Sequence, residues 1–208
     1  MSLTNITKIK GGWQEVVNDC RSTVGKAELG KDPSEKFKRD ILISEHSPIR
    51  DIAVKWMWPD IKSWVATHWV RHTWECFVKT QRTDRTGVNR DELPQSALVT
   101  FTGEANAQNL IDTWRKRLCG QASKETREYA EDFKATLRSV EPEISDVLVP
   151  NCIYRCGCPE LTPCATWHKF CQWVDREYGF HPGALSIQTR YDMYNRYFYE
   201  EVCKPDER

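Results

Sequence analysis

Hydrophobic and polar positions alternate most sharply over residues 51–58, where Ile52, Val54, Trp56 and Trp58 interleave with Asp51, Ala53, Lys55 and Met57. Period two over this length predicts a strand with one buried face. Pro59 is expected to end that strand and open a helix. Over residues 61–76 the period lengthens, and Trp64, His68, Arg71 and His72 fall at three-four spacing on one helical face. Phe37, Ile41 and Leu42 make a short amphipathic helix of residues 35–44. Residues 13–20 mix apolar and polar positions without a clean period and are read as an opening strand.

Further along, residues 80–103 form a polar connection carrying Arg82, Arg85, Gly87, Arg90 and Pro94, with a short strand expected at 97–101. A polar connection of that length inside a compact domain is often functional. Residues 106–117 predict a helix that turns Ala107, Leu110, Ile111, Trp114 and Leu118 inward. Ser123 is placed to cap the next helix, whose inner stripe is Thr126, Tyr129, Ala130, Phe133 and Leu137 and which stops near Pro142. Arg127 then sits in the first turn, where a cation is disfavoured by about 0.3 to 1 kcal/mol, so an anionic partner is expected beside it. The remainder holds a cysteine cluster and an aromatic, helical tail around Tyr191, Tyr194, Tyr197, Phe198 and Tyr199.

Charge narrows the partners. Thirty Lys and Arg balance thirty Asp and Glu in 208 residues, so net charge favours neither duplex nucleic acid nor an anionic membrane. Basic sites must be local. No apolar run reaches the roughly 20 residues that span a bilayer, and the polar start of the chain lacks the apolar core of a secretion signal, so a cytoplasmic protein is expected. The nine tryptophans are read as packing units of a core or interface.

Nine cysteines are too many, and odd in number, for a complete disulfide framework. Cys152, Cys156, Cys158, Cys164 and Cys171 crowd together. Cys152-x5-Cys158-x5-Cys164-x3-His168 offers three thiolates and an imidazole, a set suited to tetrahedral zinc, with Gly157, Pro159 and Pro163 supplying turns. Cys156 and Cys171 compete as ligands, and free structural thiols or a redox pair are the alternatives.

The order of four blocks resembles the flavin-dependent thymidylate synthases, the ThyX family, and in particular divergent phage members. Asp19-Cys20-Arg21-Ser22-Thr23 is similar to the family's A-A-R-x-S. Glu45-His46-Ser47-Pro48-Ile49-Arg50-Asp51 is similar to H-x-S-P-F-E-H, with Glu45 in place of the first histidine. His68-Trp69-Val70-Arg71-His72-Thr73 stands where the family has Q-W-I-R-H-R. The stretch opening Asn106-Ala107-Gln108 and running through Arg117 and Gln121 to Arg127 resembles N-A-R-S-L...L-R...A-Q-W-E-I-R. Departures are Thr73 for the second arginine, Thr80-Gln81-Arg82 reached only after a one-residue deletion, Gln108 for arginine, and Ser123-Lys124 for Q-W.

The resemblance implies an α+β, ThyX-like fold with a central, mostly antiparallel sheet flanked by helices. It spans a flavin- and nucleotide-binding domain over residues 1–148, with residues 149–208 as a Cys-rich, aromatic extension packed on it. It implies C5 methylation of a uracil nucleotide, dUMP to dTMP, using FAD, NADPH and methylenetetrahydrofolate, with sites shared between subunits of a homotetramer. Arg127 falls on the catalytic, imide-polarising arginine. His46, Ser47, Arg71, His72, Thr73, Arg117 and Gln121 fall on cofactor-facing positions; His68, Arg71, Thr80, Gln81, Arg82 and Arg127 fall on substrate-facing ones. The competing expectations are a zinc-containing module binding RNA or single strands, and a ThyX homologue that binds pyrimidine nucleotide without turnover or makes a different product.

Overall fold

The computed structural model describes residues 2–203; Met1 and residues 204–208, the end of the extension, lie outside the described residues. Four strands make one antiparallel sheet: β1 (Asn5–Lys10), β2 (Ala53–Lys62), β3 (Glu75–Val78) and β4 (Leu98–Asn106), in the order β1-β2-β4-β3. Around it pack ten α-helices among the described residues. They are α1 (Trp13–Ser22), α2 (Glu35–Ile43), α3 (Ser63–Trp69), α4 (Thr83–Thr86), α5 (Ala107–Arg117), α6 (Lys124–Leu137), α7 (Pro142–Val147), α8 (Asn151–Arg155), α9 (Thr166–Tyr178) and α10 (Ile187–Tyr197). The architecture is α+β with a central antiparallel sheet flanked by helices.

The period-two stretch is the middle of β2, and Val54, Trp56, Trp58 and Ile61 are buried on one face. Pro59 does not end it. The strand runs on to Lys62 through an irregularity in its register with β4 between Trp58 and Ile61, where a residue without an N–H removes no ladder bond, and the Pro59 carbonyl accepts from Thr100 Oγ1 at 3.0 Å. On β4, Gly103 lies against Trp56. A Cβ there would stand 2.3 Å from Cζ2 of the indole, so only glycine admits this approach.

Trp56 also meets Trp74 and Phe133 edge-on, each at 5.1 Å between ring centroids, and Trp114 at 6.1 Å. Edge-to-face geometry suits the ring quadrupoles. The core that these rings centre extends without a break from Trp13 to Phe198, so α9 and α10 share it with the sheet. Fully buried Lys134 on α6 ties this part together, donating from Nζ to the Ser145 carbonyl at 2.6 Å on α7 and to Asn195 Oδ1 at 2.7 Å on α10.

Two further expectations are corrected. Residues 13–20 form α1, not a strand, because Trp13, Val16 and Val17 recur at helical spacing and are the buried side chains. The helix expected over 61–76 is only α3. Ile61 and Lys62 finish β2, Val70 caps α3, residues 71–74 turn, and Glu75–Val78 pairs with β4 as the edge strand β3.

Candidate functional site

α5 and α6 form where the spacing predicts. Asn106 Oδ1 accepts the Asn109 N–H at 2.9 Å to start α5, and Ser123 Oγ accepts the Thr126 N–H at 3.3 Å to start α6. Arg117 thereby ends α5, where a cation complements the negative helix terminus. Its Nε donates to His72 Nε2 at 2.8 Å, and its Nη2 donates to the His68 carbonyl at 2.6 Å. His68 Nδ1 lies 2.8 Å from Thr126 Oγ1, which lies 2.8 Å from Ser123 Oγ. One hydrogen-bonded chain therefore runs from the turn after α3, through the end of α5, to the first turn of α6 and the neighbour of Arg127.

Electrostatics follow from this crowding. Burial, then Arg117 and Lys116, lower the His72 imidazole to about 4. Burial, then Arg117 and Arg71, lower His68 as well. Both rings are neutral near pH 7 and can act as hydrogen-bond partners without adding charge. Exposed Arg71 and Lys116, with His72, Thr73, Asn109, Asp112 and Thr113, border a cavity of about 230 Å³. Asp112 is already engaged with Arg115 at 3.4 Å, which leaves the cavity rim cationic.

Arg127 stands on the other side of the network, on the wall of a larger cavity of about 420 Å³. Its anionic neighbour is internal: Nε lies 3.2 Å from Glu131 Oε1, one helical turn on. Burial raises the Glu131 carboxyl despite the pull of Arg127. Lys169 and Thr166 of α9, Cys164, and Tyr194 and Tyr197 of α10 complete much of the wall. None of these was singled out as a site residue in the sequence except Cys164, and that as a metal ligand. Helical periodicity marks α9 and α10 as packing elements but does not say which helix faces Arg127.

The remaining expected site residues are dispersed. Thr80 and Gln81 border a separate cavity of about 170 Å³ beside Leu93 and Val99. Arg82 folds back on Asp84, donating from Nε at 3.0 Å and from Nη2 at 2.7 Å. His46 and Ser47 are exposed at the start of a 3-10 turn, Ser47–Asp51. The Gln121 amide donates to the Thr162 carbonyl and the Thr73 carbonyl accepts from the Asn109 side chain.

The four expected zinc ligands are not gathered into one shell. His168 is exposed and borders a cavity of about 280 Å³ with Trp167, Cys171, Gln172, Asp175 and His181, whereas Cys164 faces the Arg127 cavity. The reason is the start of α9 at Thr166, which points His168 to a different side from the loop that carries Cys164. Among the described residues no group of three His, Cys, Asp or Glu side chains is placed to hold a metal ion.

Two departures from the ThyX pattern meet in space. Glu45, in a left-handed backbone conformation at φ 52°, accepts from the Gln108 amide at 2.8 Å and from Arg115 through both oxygens. The Arg115 guanidinium lies 3.6 Å from the Tyr154 ring centroid and close enough to Tyr191 to interact with it electrostatically. Glu45 and Gln108 thus tie α5 to the turn after α2, and Arg115, held by Glu45, packs α5 on the extension.

No protein-family model and no curated protein sequence matches the chain. Its structure is similar to that of a UMP/dUMP methylase, PolB from Streptomyces cacaoi. With the crystal structure bound with 5-Br dUMP the TM-score is 0.56 at 13% identity, covering 69% of this chain and 93% of that one. With the structure bound with 5-Br UMP the values are 0.53, 14%, 69% and 92%. At that identity the likeness is one of fold. No helix among the described residues is long and apolar enough to cross a membrane.

Proposed function

We propose that the chain is a ThyX-like methylase acting at C5 of a uracil nucleotide, most simply converting dUMP to dTMP with methylenetetrahydrofolate, FAD and NADPH, in a homotetramer. The observation that carries this reading is the network His72–Arg117–His68–Thr126, which joins residues from two separately spaced sequence blocks and ends beside Arg127. The fold it shares with a methylase of UMP and dUMP supports the same direction.

Arg127 has the chemistry for the uracil imide. A guanidinium offers paired donors and stabilises negative charge as it develops on a carbonyl oxygen. Its bond to Glu131 holds it on the cavity wall until a ligand competes for it. Lys169 on the same wall would meet the nucleotide phosphate as a point charge. Arg71, Lys116 and the neutral, Arg117-held His72 fit the anionic part of a flavin dinucleotide, since the rim they form is cationic and its one carboxylate is occupied. The flavin would supply the redox chemistry of the transfer. The chain's own residues bind, orient and balance charge.

Tryptophan fluorescence titration with dUMP and UMP, alongside a visible absorbance spectrum after incubation with FAD, tests the reading. Saturable nucleotide binding that Arg127→Ala weakens, with flavin uptake, is the expected result. A chain that binds neither nucleotide nor FAD overturns it. Binding of nucleotide with no folate-dependent turnover would leave a sensor in place of an enzyme.

A further inference from the structure

The sequence groups five cysteines in the extension, but the fold redistributes them. Cys119, distant in sequence, follows α5 on the turn with Leu118 and Gly120 and is buried. That turn packs directly on Cys164, because a Cβ built on Gly120 would lie 3.0 Å from the Cys164 sulfur. The Cys119 and Cys164 thiols are close enough to influence each other electrostatically. Cys164 Sγ also donates to Thr166 Oγ1 at 3.3 Å. The Cys164 sulfur thus faces a cavity of about 420 Å³, with the turn that carries the Cys119 thiol packed behind it.

We propose that Cys164 and Cys119 form a thiol–disulfide exchange site for low-molecular-weight disulfides of the glutathione type, with Cys164 as the attacking sulfur and Cys119 as the resolving one. The Cys164 thiolate attacks one sulfur of the small disulfide. The protein–glutathione S–S bond forms, the original S–S bond breaks, and one glutathione leaves as thiolate and takes up a proton. Cys119 then loses its proton and attacks Cys164, and the second glutathione leaves. The dithiol is oxidised, one small disulfide is reduced to two thiols, and the atoms balance.

The asymmetry between the two sulfurs sets the order. Cys164 is half-buried on the cavity wall and open to a small disulfide, while Cys119 is buried behind it, where burial pushes its thiol up. Cys152, nearby, is pushed up to about 12 by burial in the core and stays inert. Oxidation would remove the Cys164–Thr166 contact on the wall that carries Arg127. The exchange chemistry does not depend on the function proposed above.

The full-length protein is incubated with oxidised glutathione at neutral pH, quenched in acid, and mapped by peptide mass spectrometry. The wild-type chain should contain a Cys119–Cys164 disulfide that dithiothreitol reverses. Cys119→Ser should instead accumulate a glutathione mixed disulfide on Cys164. Cys164→Ser should lose the reaction and Cys158→Ser should keep it. Iodoacetamide should label Cys164 about tenfold or more faster than Cys119 in the wild-type protein, a comparison that needs no variant to fold. Modification at Cys156 or Cys158 with Cys164 untouched, or a Cys119→Ser chain that accumulates no Cys164 adduct, would overturn the proposal.

Discussion

Arg117 Nε donates to His72 Nε2 at 2.8 Å, and this single bond fixes the protonation of the imidazole. An Nε2 that accepts cannot carry a proton, so His72 is held neutral with its hydrogen on Nδ1. The same guanidinium reaches back to the His68 carbonyl. The turn after α3 is thereby fastened to α5 by an interaction that acid must break.

Acid should therefore destabilise the protein through His72. Its folded value is about 4, below the ordinary 6.5, so between those values the unfolded chain binds a proton that the folded one excludes. Stability is fully present above pH 6.5 and is lost as pH falls towards 4. Because the ring is only half-buried, solvent screening leaves about 1 to 2 kcal/mol of effect. Urea unfolding at pH 7 and pH 5 should show the loss in wild type and a smaller one in His72→Gln; equal losses would detach it from this histidine.

Removing Arg127 should have two separable effects. Arg127→Ala should weaken uracil nucleotide binding by about tenfold to a hundredfold, the range of a lost charged hydrogen bond. It should also lower stability, since Glu131 is left without its cation. Adding Glu131→Gln should recover the stability and not the binding. Recovery of both would mean that the arginine serves only Glu131.

The Glu45–Arg115 pair should matter more than a surface ion pair. The two side chains are 21% and 11% exposed, and Glu45→Gln leaves the Arg115 charge half-compensated between Tyr154 and Tyr191. A loss of about 2 to 4 kcal/mol is expected from thermal or chemical unfolding. Gln108→Ala should cost less, about 1 kcal/mol, and a double-mutant cycle between Glu45 and Gln108 should give a coupling energy above zero.

Lys134 should give the same trend as His72, in a window at higher pH. Burial lowers its ammonium to about 7 from 10.5, so between those values the unfolded chain holds a proton that the folded one does not, and stability rises with pH through the window. The slope contributed is at most about 1.4 kcal/mol per pH unit. Lys134→Met should flatten it in unfolding measured from pH 7 to 9. At pH 9 it should also cost about 1 to 3 kcal/mol, since the Ser145 carbonyl and Asn195 Oδ1 lose their donor.

Several elements could be read because their signal is local. Ile52, Val54, Trp56 and Trp58 alternate, so one face of β2 is specified whatever packs on it. Leu110, Ile111 and Trp114 stripe α5, and Ser123 announces α6 with its own hydroxyl. The misread elements had competing signals. Residues 13–20 carried a helical stripe in Trp13, Val16 and Val17 that their polar neighbours obscured. Residues 71–78 became a turn and an edge strand because β4 offered an unpaired edge, which no pattern inside that segment encodes.

The same division runs through the candidate site. Sequence by itself determined which residue types and helix ends exist: a cation closing α5 at Arg117, a capped α6 with Arg127 in its first turn, and a thiol-rich loop before α9. Only tertiary structure decided that His68 and His72 meet Arg117, that Glu45 meets Gln108 and Arg115, that Lys169 and Tyr194 face Arg127, and that Cys119 rather than His168 lies beside Cys164. Local order depends on periodicity and caps within a few residues. The partners across the site are set by how α5, α6, α9 and α10 pack around one aromatic core, and that packing is a property of the whole chain.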